Sequence, residues 1–338
     1  MSESQIRAWR KMMGVSDIAH PLFEELDLVN TRRMFKNALR EKYAVPGYNF
    51  YNMEQLQGIL YGCAETNSPV ILQILRGNLD YANLTNLMLM VKGMIKSIRE
   101  KGSRIPVALN LDHGDSYEIC KTCVDLGFSS VMIDGSFLPY EENVDVSKKV
   151  ADYAHQHDVS VEAELGGIAG VEARVTPEEM FTKPEEVEDF ISKTGVDSLA
   201  ISIGTAHGAY KFKIEDKPPT LRLDIIDEIR DRIGKFPLVL HGASAVPPEY
   251  IEIVNRYGGQ MEGAIGVSVE QLKLAIQHGI CKSNFDTDIK LIFTALTRKY
   301  FAENPREFDP KKYLELARDR LKQYVMSKNG VLGCANKA

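Results

Sequence analysis

Eight short apolar runs, each followed by a longer amphipathic stretch, recur along this chain and limit its fold more than any other feature. The runs are 44–50, 70–74, 107–112, 130–134, 160–165, 198–203, 237–241 and 280–285. Most are continuous apolar stretches, as expected of parallel strands covered on both faces. Helix-like segments separate them at 53–66, 85–100, 116–126, 141–156, 184–194, 221–233 and 269–278. Eight βα units without a long linker predict an α/β protein with one (β/α)8 TIM barrel, with a doubly wound sheet as the second choice. Residues 288–303 follow the eighth strand as a helix, and 310–328 form a C-terminal helical extension. Residues 1–26 precede the first barrel helix (about 31–42) and contain the only tryptophan, Trp9. They read as an N-terminal arm docked on a barrel domain spanning 27–338, with a regulatory or oligomer contact as the other use.

Composition narrows the classes of function. The chain has 338 residues, 44% of them hydrophobic, with 41 basic and 47 acidic side chains for a net charge of −6. That suffices for a large core, and an acidic surface does not attract nucleic acid or an anionic membrane. No apolar run approaches the roughly 18 residues of a membrane span, and the start MSESQIRAWRKMM lacks a signal-peptide core. Five cysteines, an odd number, fit a reducing cytoplasm better than a disulfide scaffold. Cys120 and Cys123 form a CxxC inside a helical segment and read as core thiols.

A barrel places its chemistry at the carboxyl ends of its strands, which sorts the seven histidines. His113, His207 and His241 each fall at or just past the end of a predicted strand, and each precedes a glycine. His155, His157 and His278 precede strands and belong to the opposite face, and His20 lies in the arm. Three imidazoles from strands three, six and seven meet at one mouth and suit Zn²⁺ with an open coordination position. Asp112, beside the first histidine, is either a carboxylate orienting a ligand or a general acid/base. Glu162 and Glu164 share one face of strand five and point inward. The connection 166–183 is long for a βα loop and reads as a lid, with Glu172 the acid placed to swing over the mouth. Segments 207–211, 241–244 and 284–288 gather glycines with Lys211, Ser244 and Thr287 around strands six to eight, where barrels build phosphate sites.

Together the segments VPGYNFYNMEQLQGIL, SPVILQ, LNLDHGDSYE, GFSSVMIDGS, LPYEENV, VEAELGGIAGVE, TGVDSLAISIGTAHGAYKF, LHGASAVPPEY and CKSNFDTDIKL resemble the class II, zinc-dependent ketose-bisphosphate aldolases. The resemblance runs from about Leu28 to Ala338. It implies zinc on His113, His207 and His241, with Asp112 exchanging the C4 hydroxyl proton and Glu172 the C3 proton. It also implies that Asn284 holds the dihydroxyacetone moiety, and that Gly208, Lys211, Gly242, Ser244, Asp286 and Thr287 surround its phosphate. Carbonyls near Ala206, Gly208 and Gly242 would bind a monovalent cation (Na⁺ or K⁺). A homodimer or homotetramer is implied as well, in which a neighbouring subunit supplies a basic residue, here Lys311, to the tail pocket.

The departures from the family pattern cluster. Asn110 replaces the first histidine of LHLDH, and Ala173 and Arg174 follow Glu172 where an aspartate is usual. At the far phosphate, Leu75 replaces a serine, and Lys290 and Lys311 replace arginines. Lysine lacks the planar fork that grips phosphate bidentately. The expected substrate is fructose 1,6-bisphosphate. The alternative is 6-deoxy-6-sulfofructose 1-phosphate, whose less hydrated sulfonate Leu75 favours, or tagatose 1,6-bisphosphate, since the resemblance implies that its dedicated aldolases also carry lysine after the DTD motif. A metal-dependent hydrolase would carry an HxH pair on strand one, and 44–50 contains no histidine. A non-catalytic barrel would have lost a ligand or Asp112.

Overall fold

Parallel pairing runs without interruption from β1 to β8 and returns from β8 to β1, closing the barrel. The computed structural model describes residues 3–12, 22–167, 181–208, 220–261 and 263–338. Its strands are β1 (Val45–Asn49), β2 (Val70–Leu75), β3 (Val107–Gly114), β4 (Ser130–Ile133), β5 (Ser160–Leu165), β6 (Ser198–Ile201), β7 (Leu238–Leu240) and β8 (Ile280–Phe285). Each lies within two residues of its expected bounds. Helices fill the intervals, including Met53–Glu65, Leu84–Glu100, Tyr140–His155, Pro184–Thr194, Val269–His278 and Thr287–Glu303. The helices Glu3–Met12, Arg76–Ala82 and Pro248–Arg256 add to those expected. Among the described residues, no helix is long and apolar enough to cross a membrane.

The local signals are ordinary ones. Asn52 accepts from the Gln55 backbone N–H at 2.8 Å and Ser268 from that of Gln271 at 3.2 Å, each capping a helix start. Gly195 and Gly333 end helices in the left-handed conformation. The C-terminal helix, Pro310–Leu332, lies along Met53–Glu65 across a seam of Gly58 and Gly62. A Cβ on Gly62 would sit 2.7 Å from Val325 Cγ1, and one on Gly58 would sit 2.9 Å from the Arg318 carbonyl. The two backbones approach this closely because neither position carries a side chain.

Between strands and helices lies one continuous apolar core, which includes Trp9, Leu22, Phe23 and Leu26 from the N-terminal segment. Trp9 is buried and its indole N–H donates to the Leu126 carbonyl at 3.3 Å. All five cysteines are free and buried. The barrel interior is different: Met132, Ala200 and Val239 form a small apolar cluster, while β3, β5 and β8 contribute Asn110, Glu162 and Lys282, all buried. Those three strands therefore alternate, with polar side chains inside and apolar ones against the helices. That polar interior supports the mouth.

Candidate active site

Consecutive residues on a strand normally face opposite ways, so Asp112 and His113 both facing the mouth needs a cause. The β3–β4 pairing steps from Leu111↔Val131 to Gly114↔Ile133, leaving two residues of β3 opposite one of β4. His113 takes φ 51, the left-handed region that a non-glycine residue adopts at a cost. This bulge re-aims one side chain, and both residues line the same cavity.

His207, just past β6, and His241, just past β7, complete the group. Ligand-capable atoms of His113, His207 and His241 all lie within 4.8 Å of one another. Gly242 (φ 63) lets the two loops meet: a Cβ there would stand 2.6 Å from the Ala206 carbonyl oxygen. Each of two rings is held from behind. His113 Nδ1 is 2.7 Å from Asp134 Oδ2, and His241 Nε2 is 2.7 Å from Glu162 Oε1. Those bonds turn His113 Nε2 and His241 Nδ1 toward each other at 2.9 Å. With both rings bonded to carboxylates behind them, the facing nitrogens share a proton when His113 is charged and present two lone pairs to a cation when both rings are neutral.

The surrounding charges agree. Burial opposes charge on His113, but Asp112, Asp134 and Glu164 outweigh it and push its pKa up to about 10. Burial, with the charges of His113 and Lys282, holds His241 well below the usual histidine range. The centre thus accommodates added positive charge on one side only. A second group, His113, Asp134 and Glu164, also has its ligand atoms within 4.8 Å. Burial and neighbouring Asp134 raise Glu164 well above the usual carboxylate range, so this side favours a neutral acid.

Asp112 is buried and bonded on both oxygens: Asn49 Nδ2 donates to Oδ2 at 2.8 Å and Asn284 Nδ2 to Oδ1 at 3.2 Å. Burial raises its pKa, yet His113, His241, Lys282 and the Asn49 bond together hold it below the usual range. Asp112 is therefore an ionised carboxylate, with Oδ1 4.0 Å from His113 Nε2. Asn49 also accepts from Gln73 Nε2 at 3.2 Å, which fixes the orientation of its amide.

Leu75, Asp112, the three histidines, Gly208, Gly242, Ser244, Asn284, Asp286 and Thr287 line, with Asn49, a cavity of about 180 Å³ at the mouth. Ten of the fourteen residues expected at the site thus come together. Thr287 opens the helix Thr287–Glu303, so that helix directs its N-terminal N–H groups and positive dipole end at the cavity. Lys290 is 45% exposed and paired with Asp286, and Lys311 is 85% exposed beside Asp309; neither lines the cavity of this chain. Glu172 and Lys211 lie outside the described residues, as do Ala173, Arg174 and His20. Asn110 is buried below the mouth, and its amide has no hydrogen-bond partner among the described residues.

Three supporting residues were not expected from the sequence. Asn49 and Asp134 are single polar residues at strand ends and gave no spacing signal. Lys282 did have one: a lysine inside ICKSNF, two residues before Asn284, must share its inward face. It is 1% exposed, and its Nζ lies 2.6 Å from Glu162 Oε2. Glu162 thus bridges Lys282 and His241 inside the barrel.

The comparisons with known proteins cover nearly the whole chain. The family model described as "Fructose-bisphosphate aldolase class-II" matches residues 29–337. A fructose-bisphosphate aldolase of Treponema pallidum is 52% identical, over 94% of this chain and 99% of that protein. One of Giardia intestinalis is 44% identical, over 93% and 95%. Among solved structures, the YdjI aldolase of Escherichia coli K12 superposes with a TM-score of 0.71 at 27% identity, covering 92% of this chain and 99% of that one. With this barrel, three histidines at its mouth and an ionised aspartate beside them, the chain belongs to the class-II fructose-bisphosphate aldolase family, whose members are generally metal-dependent carbon–carbon lyases.

Proposed function

We propose that the enzyme cleaves fructose 1,6-bisphosphate reversibly to dihydroxyacetone phosphate and glyceraldehyde 3-phosphate, with Zn²⁺ on His113, His207 and His241. The observation that carries the metal assignment is the convergence of ligand atoms of all three histidines within 4.8 Å of one another, with two of the rings backed by carboxylates. Imidazole-only donor sets suit zinc, and the metal supplies Lewis acidity toward the substrate ketone. The substrate assignment is supported by relatives at 52% and 44% identity that bear the fructose-bisphosphate name. They favour it over a sulfonated ketose 1-phosphate or tagatose 1,6-bisphosphate, for which Leu75, Lys290 and Lys311 were the hints.

The residues divide the work. Asp112, ionised and held at both oxygens, takes the C4 hydroxyl proton, so that the C3–C4 bond breaks and the aldehyde leaves. In condensation it returns that proton. Asn284 both bonds Asp112 and faces the cavity, which supports its role of holding the dihydroxyacetone moiety. The Thr287 helix start, Ser244, Gly208 and Gly242 receive the adjacent phosphate, joined by Lys211. Asp286, raised by burial, adds less repulsion there than an ordinary carboxylate. Glu172 exchanges the C3 proton. A monovalent cation on the carbonyls of Ala206, Gly208 and Gly242 would offset charge at that phosphate.

Lys290 and Lys311 are assigned to the far phosphate, with Lys311 supplied by a second subunit of a homodimer or homotetramer, because within one chain it stands away from the cavity. Residues 27–338 form the catalytic unit and 1–26 a docked arm. Five free buried cysteines and an acidic surface fit a reducing cytoplasm. The test is a cleavage assay on the three candidate sugars, before and after chelation. Activity is expected to vanish with chelator, return with Zn²⁺ and be greatest in kcat/KM on fructose 1,6-bisphosphate. Asp112→Ala should keep its metal and lose at least about 10²-fold in rate. Full activity after complete metal removal, or near-normal turnover by Asp112→Ala, refutes the corresponding assignment.

A further inference from the structure

Beside the β7 loop lies a second cavity of about 440 Å³, which shares no lining residue with the mouth. Val246, Ile265, Val267 and Val331 give it apolar walls, and Ser268 and Ser327 add hydroxyls. Among the described residues its only cation is Lys328 of the C-terminal helix, 5% exposed. The ammonium stands over the rings of Phe285 and Tyr324, 5.0 and 5.2 Å from their centroids. Among the described residues the one carboxylate near it is Asp288, whose Oδ2 is 4.0 Å away, beyond a hydrogen bond.

Asp288 is already occupied. It accepts from the backbone N–H of Ala245 at 3.0 Å and of Val246 at 2.8 Å, and from the Tyr324 hydroxyl. Those bonds hold Val246 at φ 48, a costly conformation for a β-branched residue. The carboxylate is thus committed to shaping the loop after β7. Lys328 keeps three donors and no hydrogen-bond acceptor among the described residues, although a buried ammonium ordinarily has one. Burial also draws its pKa below the usual lysine range.

We propose that this cavity is a binding site for a small organic monoanion, with its carboxylate on Lys328 Nζ and its short apolar body against Val246, Ile265, Val267 and Val331. One ammonium, whose charge Asp288 at 4.0 Å partly offsets, suits a single negative charge better than a dianion such as phosphate, and no second cation lines the cavity among the described residues. The feature that selects the ligand is therefore one carboxylate on a body of a few carbons.

Butyrate is the probe, titrated into the metal-loaded full-length enzyme by saturation-transfer NMR, with butyramide as its neutral counterpart. A ligand this small is expected to bind with a Kd of about 1–10 mM. Butyramide should bind the wild-type enzyme at least about tenfold more weakly, a difference of about 1.4 kcal/mol. Lys328→Met should weaken butyrate by a similar factor. Val331→Phe, which fills the cavity and keeps the lysine, should do the same, so the proposal remains testable if Lys328→Met does not fold. Equal butyrate affinity in the folded variants overturns it, as does equal affinity for butyramide or no saturable wild-type signal up to about 50 mM.

Discussion

Replacing Lys282 by methionine tests how the barrel interior supports the active site. The ammonium is 1% exposed and lies 2.6 Å from Glu162 Oε2, while Glu162 Oε1 holds His241 Nε2 at 2.7 Å. Methionine nearly conserves volume, so the perturbation is electrostatic: a carboxylate 2% exposed loses the ammonium that neutralises it. Removing one member of a buried pair costs about 3–5 kcal/mol, whereas removing both charges often costs little. Against a total stability of about 5–15 kcal/mol, the single substitution is severe. Glu162→Gln combined with Lys282→Met should recover much of the loss, giving a coupling of at least about 1 kcal/mol. The assay is equilibrium urea unfolding of metal-free protein for the wild type, both single variants and the double variant. A Lys282→Met enzyme within about 1 kcal/mol of wild type, or a cycle with no coupling, refutes the reading of Lys282–Glu162 as a charge pair that fixes His241.

Three further expectations follow from the same coordinates. Asp134→Asn removes the carboxylate 2.7 Å behind His113 and should weaken Zn²⁺ affinity by about 10–100-fold in a competition titration; unchanged affinity would show that the bulge alone orients the ring. Gly62→Ala places a Cβ 2.7 Å from Val325 Cγ1 and should cost about 1–3 kcal/mol in urea unfolding, with little change in kcat; a neutral effect would mean that the C-terminal helix shifts freely. Asp197 is the acid-sensitive group: burial raises its pKa, but bonds from His155, Arg32 and the Val161 N–H outweigh this and lower it. Its folded pKa lies below its unfolded one, so its contribution is complete above about pH 4 and is lost as pH falls through the folded value, at up to about 1.4 kcal/mol per pH unit. Asp197→Asn should show a shallower acid limb in stability against pH, and parallel limbs would rule out this linkage.

How far the site was legible from sequence depends on where each residue gets its position. His113, His207 and His241 were readable because a residue ending a barrel strand faces the mouth whatever its neighbours are, and strand ends are a local signal. Asn284, Gly208, Ser244 and Thr287 follow the same rule. Asn49 and Asp134 were not readable, since their partners Asp112 and His113 are 63 and 21 residues away and no periodicity links them. Lys290 and Lys311 show the converse: each continues a family motif, yet one pairs with Asp286 four residues back and the other with Asp309, so neither reaches the cavity of its own chain.

Sequence by itself determined the barrel, because eight apolar runs of strand length separated by amphipathic helices have few other ways to bury their surfaces. It also determined which residues stand at the mouth, because strand direction and a period of two are properties of the local chain. Tertiary structure decided the chemistry's geometry. Only the pairing of β3 with β4 creates the bulge that turns adjacent Asp112 and His113 the same way. Only closure of β8 onto β1 settles the neighbours of Lys282 and Asn284, and with them the charge on Asp112. Those distances are set by contacts between residues remote in sequence, so the pattern of any one segment cannot contain them.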